Sequence, residues 1–324
     1  MLDDFLAFTL RNQPPVAPSG TTPGGMRWRW LGQGMLEIIP PRAIDTHIVL
    51  SAGVHGDETA PIEILRDLVA DIAAGRLPLA CRLLVLLGNA PAMSAGKRYL
   101  DDDLNRLFCG AHRNLPGSAE SPRAAALEAA VAAFFANAVG ARWHLDLHTA
   151  IRPSVFERFA LLPQREAGYG PEVFAWLGAL DISAVLNHRE RSNTFTYFSS
   201  SEHNALAATL ELGKVMPFGQ NDLTRFAAVD AGLRRMLTSE APAQSATQPR
   251  IFDVVGQLNK QSDAFVLAVG DTMANFTAYP RGTVIAIDRD ERYVVSHDEE
   301  RIVFPNPKVK NGLRAGLMVV ERPV

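Results

Sequence analysis

From about residue 46 to residue 237, short and almost unbroken apolar runs alternate with longer stretches of helical spacing, and few folds accommodate that order. Residues 48–54 read as a buried strand. Residues 57–76 follow as a helix with Ile62, Leu65, Leu68, Val69 and Ile72 on one face. Residues 83–87 form a second buried strand, ended by Gly88-Asn89, and the alanine-rich stretch 122–138 is helical by propensity. Residues 143–147 and 208–212 add two more strands, and 221–237 an amphipathic helix. A strand that is apolar along its whole length needs cover on both faces. The expected fold class is therefore α/β, with a parallel or mixed sheet between helices.

The pattern changes after residue 237. The stretch 238–249 has the composition of a linker or surface loop. Short strand candidates follow at 250–258, 265–269, 283–288, 293–296 and 317–321, separated by Gly, Pro and Asp turns. A boundary near residue 245 divides an expected domain over 1–245 from a smaller β-rich domain over 246–324.

Composition narrows the function classes. The chain has 324 residues, 47% hydrophobic and 21% charged, as globular proteins do. Its net charge of −3 supplies no global basic field for nucleic acid or an acidic membrane surface. Only two cysteines occur, Cys81 and Cys109, so no disulfide framework is indicated and a reducing compartment is expected. The N-terminus carries Asp3 and Asp4 where a secretory signal is basic, and no segment approaches the length of a membrane span. A cytoplasmic protein acting on a small molecule is the expectation, with neither nucleic acid nor membrane as partner. Its oligomeric state is open.

Several apolar runs deliver polar side chains of a particular kind. His55-Gly56-Asp57-Glu58 follows the first run, and His148 ends the run that contains Asp146. Two imidazoles and one carboxylate form the protein ligand set of a catalytic zinc with an open coordination position. A plainer reading makes Glu58 a partner of the helix dipole and His55 a polar loop residue. Asp146 and His148 share a side of their strand by the period of two, so Asp146 could orient the imidazole or merely pair with it.

Asp101-Asp102-Asp103 could form a second metal site, or cap a turn and neutralise nearby arginines. Arg98 and Arg106 suit bidentate binding of a carboxylate, with Asn105 as a neutral donor beside them. The alternative is a set of surface ion pairs with the aspartates. Glu211 lies between leucines, where burial would raise its pKa towards that of a general base. It could equally pair with Lys214 or face outward. His144, His188 and His203 read as structural or exposed. The sequence has no GxSxG elbow, Walker A or GxGxxG motif, which argues against serine hydrolase, P-loop and dinucleotide chemistry.

Taken together and in order, Gly53-Val54-His55-Gly56-Asp57-Glu58, Asp103-Leu104-Asn105-Arg106-Leu107-Phe108, Asp146-Leu147-His148-Thr149-Ala150 and Thr209-Leu210-Glu211-Leu212-Gly213-Lys214 resemble the succinylglutamate desuccinylase/aspartoacylase family of zinc carboxypeptidase-like enzymes. Phe304-Pro305-Asn306-Pro307 and Gly312-Leu313-Arg314-Ala315-Gly316-Leu317 extend the resemblance over nearly the whole chain. It implies a zinc-carboxypeptidase-like mixed sheet flanked by helices. It also implies one Zn2+ per subunit held by His55, Glu58 and His148, with Glu211 as catalytic carboxylate. Arg98, assigned a catalytic part, Asn105 and Arg106 are implied as contacts to a substrate carboxylate or the scissile carbonyl.

The implied reaction is hydrolysis of N2-succinyl-L-glutamate to succinate and L-glutamate, the last step of arginine degradation through succinylated intermediates. An N-acyl amino acid deacylase, a carboxypeptidase-like peptidase and a non-catalytic dicarboxylate-binding protein are the alternatives. One departure stands out: residues 198–204 lack the arginine that aspartoacylases carry shortly before the catalytic glutamate. Arg152, Arg189 and Arg191 are the candidates to grip the other end of the substrate.

Overall fold

The apolar runs assemble into the centre of a mixed sheet covered by helices on both faces. The structure, a computed structural model, describes residues 1–42, 44–244, 248–270 and 272–322. In chain order the first strands are β1 (Ser19–Thr21), β2 (Arg27–Gly32), β3 (Met35–Ile39), β4 (His47–Ala52) and β5 (Arg82–Leu87). Next come β6 (Arg142–Ala150), β7 (Phe159–Leu162), β8 (Ala184–Asn187) and β9 (Leu206–Lys214). The C-terminal part holds β10 (Arg250–Asn259), β11 (Val266–Leu267), β12 (Thr277–Pro280) and β13 (Val284–Asp288). It ends with β14 (Glu291–Val294), β15 (Glu299–Val303) and β16 (Arg314–Glu321). The α-helices are α1 (Phe5–Leu10), α2 (Thr59–Ala73), α3 (Ala90–Ala95), α4 (Ser121–Phe135), α5 (Pro171–Ala179), α6 (Phe195–His203) and α7 (Ala227–Leu237).

The main sheet runs β1-β2-β3-β5-β4-β6-β9-β7-β8-β10-β16-β15-β12. At its centre β5, β4, β6 and β9 are parallel, as expected of strands buried on both faces. The period of two sorts their side chains. Ile48, Leu50 and Ala52 pack under α2, α5 and α7, whereas Val49 joins the opposite core beneath α4 and α6.

The expected helix over 57–76 is shorter at both ends. The one over 221–237 begins as a 3-10 turn, Leu223–Phe226, before α7. An N-terminal antiparallel meander, β1 to β3, was not anticipated. Its strand β2, between the edge strand β1 and β3, alternates exposed arginine with partly buried tryptophan instead of running apolar.

The C-terminal part is antiparallel β, with its own core around Ile285, Ile302 and Met318, while a second core around Phe252, Phe276 and Leu317 is shared with Phe159, Ala184 and Leu186 of the preceding part. The boundary expected near residue 245 lies outside the described residues. β10 pairs parallel with β8 (Arg250 opposite Ala184) and antiparallel with β16, so the sheet continues from one part into the other. Among the described residues no helix is long and apolar enough to cross a membrane, and Cys81 and Cys109 are both free.

Candidate active site

Strand register brings the site together. β4 lies beside β6 with Ala52 opposite Leu147, and β6 lies beside β9 with His148 opposite Glu211. Parallel strands send their following turns to the same edge, and the turn after β4 carries His55 and Glu58 there. Gly53 adopts φ +68 in this turn. At Gly56 a Cβ would lie 2.3 Å from Met93 N and 2.4 Å from Ala92 C, so only glycine lets the turn press against α3. The close approach at Gly56 is thus made to neighbouring backbone.

His55, Glu58 and His148 are 4%, 2% and 2% exposed. Glu58 bridges the imidazoles, with Oε1 2.9 Å from His55 Nδ1 and Oε2 2.8 Å from His148 Nδ1. It also accepts from Thr149 N at 3.0 Å and from Arg98 Nη1 at 2.6 Å. The residue stands at the N-cap of α2, but its carboxylate makes no capping bond there. The ligand atoms of these three residues lie within 4.8 Å of one another, and the trio could hold a metal ion.

The outer nitrogen of each ring is fixed by a second carboxylate. His55 Nε2 is 2.9 Å from Asp103 Oδ1, and His148 Nε2 is 2.8 Å from Asp146 Oδ2. Both Nδ1 atoms are thereby turned towards Glu58, as metal-ligating histidines are usually oriented. Asp146 in turn accepts from Ser51 Oγ at 2.6 Å. Ser51 Oγ is 2.8 Å from His144 Nε2, and His144 Nδ1 is 2.7 Å from Ser199 Oγ. Burial pushes His144 down to about 4, so it is neutral at the core of this chain of hydrogen bonds.

Burial would raise the Glu58 carboxyl, but His55 and His148 hold it well below the usual range. His148 is carried well above an ordinary histidine, because Asp146 and Glu58 outweigh its burial. Glu211 shifts the other way. Burial, reinforced by the charge of Glu58, raises it to about 7, and its Oε2 is buried with no hydrogen-bond partner. Among the described residues it makes no ion pair with Lys214, which is exposed.

The three aspartates separate. Asp101 accepts from Ala119 N, Asp102 pairs with Lys310, and Asp103 caps the turn Leu104–Arg106 while holding His55. Among the described residues they form no second metal group. Asn105 Oδ1 accepts from Phe195 N at 2.9 Å, which leaves its amide NH2 to donate. Arg106 donates to Asn105 O at 2.8 Å and is partly exposed.

A cavity of about 470 Å3 unites His55, Glu58, His148 and Glu211 with Arg98, Asn105 and Arg106. Arg152 also lines it. Arg189 and Arg191 do not, and Arg189 instead pairs with Asp253 at 3.1 Å. His188, read from sequence as structural or exposed, is part of the lining.

Two residues escaped the sequence reading. Arg314 reaches the cavity from the C-terminal part, within a motif that was noticed but given no role. Glu120 carries no local signal, yet it accepts from Leu100 N, Asp101 N, Asp102 N and Asn89 Nδ2 and so holds the segment leading to Asp103, Asn105 and Arg106.

Such an arrangement can bind a metal, accept a proton and hold an anionic ligand. Comparison with known proteins points the same way. A family model described as the succinylglutamate desuccinylase/aspartoacylase catalytic domain matches residues 45–237, and one described as the AstE/AspA barrel-sandwich hybrid domain matches 247–322. The chain is 59% identical over 327 residues to a succinylglutamate desuccinylase of Burkholderia orbicola (strain MC0-3), covering 99% of this chain and 96% of that protein. It is also similar to the crystal structure of the succinylglutamate desuccinylase from Chromobacterium violaceum. That TM-score is 0.88 at 44% identity, over 99% of this chain and 98% of the other. The Vibrio cholerae succinylglutamate desuccinylase superposes with a TM-score of 0.90 at 34% identity, over 98% and 94%.

Proposed function

The chain belongs to the succinylglutamate desuccinylase/aspartoacylase family, and from that premise we propose that it hydrolyses N2-succinyl-L-glutamate to succinate and L-glutamate, the closing step of arginine degradation by the succinyl route. The observation that carries the reading is the buried His55–Glu58–His148 trio beside the unpartnered carboxylate of Glu211, in a cavity that also holds arginines. The donor set, with each outer imidazole nitrogen held by a carboxylate, fits one zinc ion per subunit.

Zinc bound there supplies Lewis acidity to the scissile carbonyl and to a water molecule. Glu211 takes a proton from the attacking water at its free Oε2, since a carboxyl near 7 is poised to exchange protons at neutral pH. The same oxygen returns the proton to the departing glutamate nitrogen, which leaves poorly as an anion. Arg98, already against Glu58, faces the negative charge that develops on the carbonyl oxygen. The Asn105 amide and Arg106 hold a carboxylate of the substrate. The division into a catalytic unit over 1–245 and a C-terminal unit over 246–324 belongs to the same proposal.

The deciding experiment measures hydrolysis of N2-succinyl-L-glutamate and N-acetyl-L-aspartate before and after chelation, with metal content determined on the same sample. Turnover of the succinyl substrate that is lost on chelation and restored by zinc is expected. No turnover of that substrate with metal bound would overturn the assignment, and preference for N-acetyl-L-aspartate would replace it.

A further inference from the structure

Among the described residues, Arg314 is a cavity-lining cation with no carboxylate in contact. Arg314 opens β16 and lines the same cavity as the metal-site trio. Among the described residues no carboxylate lies within ion-pair distance of its guanidinium. Its only side-chain hydrogen-bond contact there is the His188 ring, with Nη1 3.5 Å from Nε2. The nearest acidic groups are committed elsewhere: Asp103 to His55 and the turn at Asn105, Glu190 to Gln257. Burial, with Arg106 adding its like charge, lowers Arg314 to about 9, so it remains charged at neutral pH. Arg314 is partly buried, and a partly desolvated charge without a carboxylate partner is costly unless a ligand completes the pair.

The backbone beneath Arg314 is held firmly. Arg314 pairs with Asn259 in the β10–β16 ladder. Just before it, Gly312 N and Leu313 O bond to Lys260 O and N at 2.7 and 3.0 Å. The preceding segment is tied across to the catalytic part by Lys310 Nζ to Asp102 Oδ1 at 2.9 Å. The guanidinium is therefore presented from a fixed frame, which suits a fork-shaped donor set that recognises a carboxylate in two places.

We propose that Arg314 anchors a substrate carboxylate remote from the scissile amide, so that the C-terminal domain supplies one end of the substrate site. The inference rests on the reading of the cavity as a hydrolytic site for an N-acylated acidic amino acid. That substrate has two remote carboxylates, one ending the acyl chain and one ending the amino-acid side chain. Both present the same chemistry to an arginine.

The test compares kcat/KM of the zinc-loaded wild type, Arg314→Met and Arg314→Lys on three substrates. These are N2-succinyl-L-glutamate, N-butyryl-L-glutamate (no acyl-chain carboxylate) and N-succinyl-L-norvaline (no side-chain carboxylate). Arg314→Met should lower kcat/KM on the triacid by about 10- to 100-fold, the range for a lost charge-assisted hydrogen bond. The wild-type preference for the triacid over one analogue should collapse towards unity while the other preference survives. The analogue that converges identifies the anchored end. Arg314→Lys should keep part of the selectivity, and it replaces the methionine variant if that variant does not fold.

Equal losses on all three substrates, or none, would overturn the inference. Calorimetric binding of succinate and of L-glutamate gives a second readout independent of turnover, in which Arg314→Met should weaken one product and spare the other. If the wild type hydrolyses none of the three substrates, the proposed function fails. The binding data then decide on Arg314 alone, and unchanged affinity for both products rejects it.

Discussion

At the scale of single residues, the site depends on which atom of each side chain is left free. Glu58 stands where a helix-capping acid would stand, yet both its oxygens face imidazole nitrogens and none bonds the helix. Asp103 and Asp146 turn two histidines so that both Nδ1 atoms converge. Glu211 was legible as a carboxylate among leucines, but its freedom from Lys214 was not, because that depends on which way the strand faces in the sheet. Glu211→Gln should retain stoichiometric metal and lower kcat by roughly 10³-fold, within the range of general acid–base catalysis. Metal analysis and steady-state kinetics on one preparation check this. The pH profile follows with a definite sign, since protonated Glu211 cannot accept a proton. Activity of the wild type should fall with decreasing pH along a limb between the ordinary carboxylate range and about 7. A cation held by His55, Glu58 and His148 would offset part of the rise. A limb unchanged in the residual activity of the glutamine variant would remove Glu211 from the role.

Among the elements, the interior strands were read to within one to three residues, because burial on both faces leaves an unbroken apolar signature. Elements whose stability comes from their neighbours were missed. Helix α6, Phe195–His203, is made of aromatic, Thr and Ser residues with poor helix propensity, and it forms under a Thr194 cap against the core. The segment carrying Asp103, Asn105 and Arg106 is also held from afar, by the buried Glu120 carboxylate. Glu120→Ala would remove the acceptor of three partly buried backbone amides and of the buried Asn89 amide and is expected to cost about 2–4 kcal/mol, read by denaturant unfolding. Burial alone would raise Glu120, but its hydrogen bonds lower it below 4.5. Its contribution is therefore fully present above the unfolded value and lost as pH falls through the folded one. Glu120→Gln should flatten the loss of stability that the wild type shows below about pH 4.5. Identical acid profiles would refute the assignment.

Over the whole molecule, two parts that differ in composition share one sheet. β10 hydrogen-bonds to β8 on one side and to β16 on the other, and Lys310 pairs with Asp102 beside the cavity. The full chain should unfold by calorimetry in a single transition, and two well-separated transitions would show that the junction carries little coupling. The sequence by itself determined the α/β class, the order of the ligand-bearing runs, the β-rich character of the C-terminal part and the chemical types at the site. These are local properties: apolar period, turn residues, and side chains at strand ends. The tertiary structure alone decided which groups meet. His148 lies opposite Glu211 through strand register, His55 Nε2 and His148 Nδ1 receive Asp103 and Glu58 from distant segments, and Arg189 is spent on Asp253 while Arg314, among the described residues, meets no carboxylate. Whether a buried charge is neutralised or left for a ligand depends on contacts between residues far apart in the chain, and no local pattern encodes them.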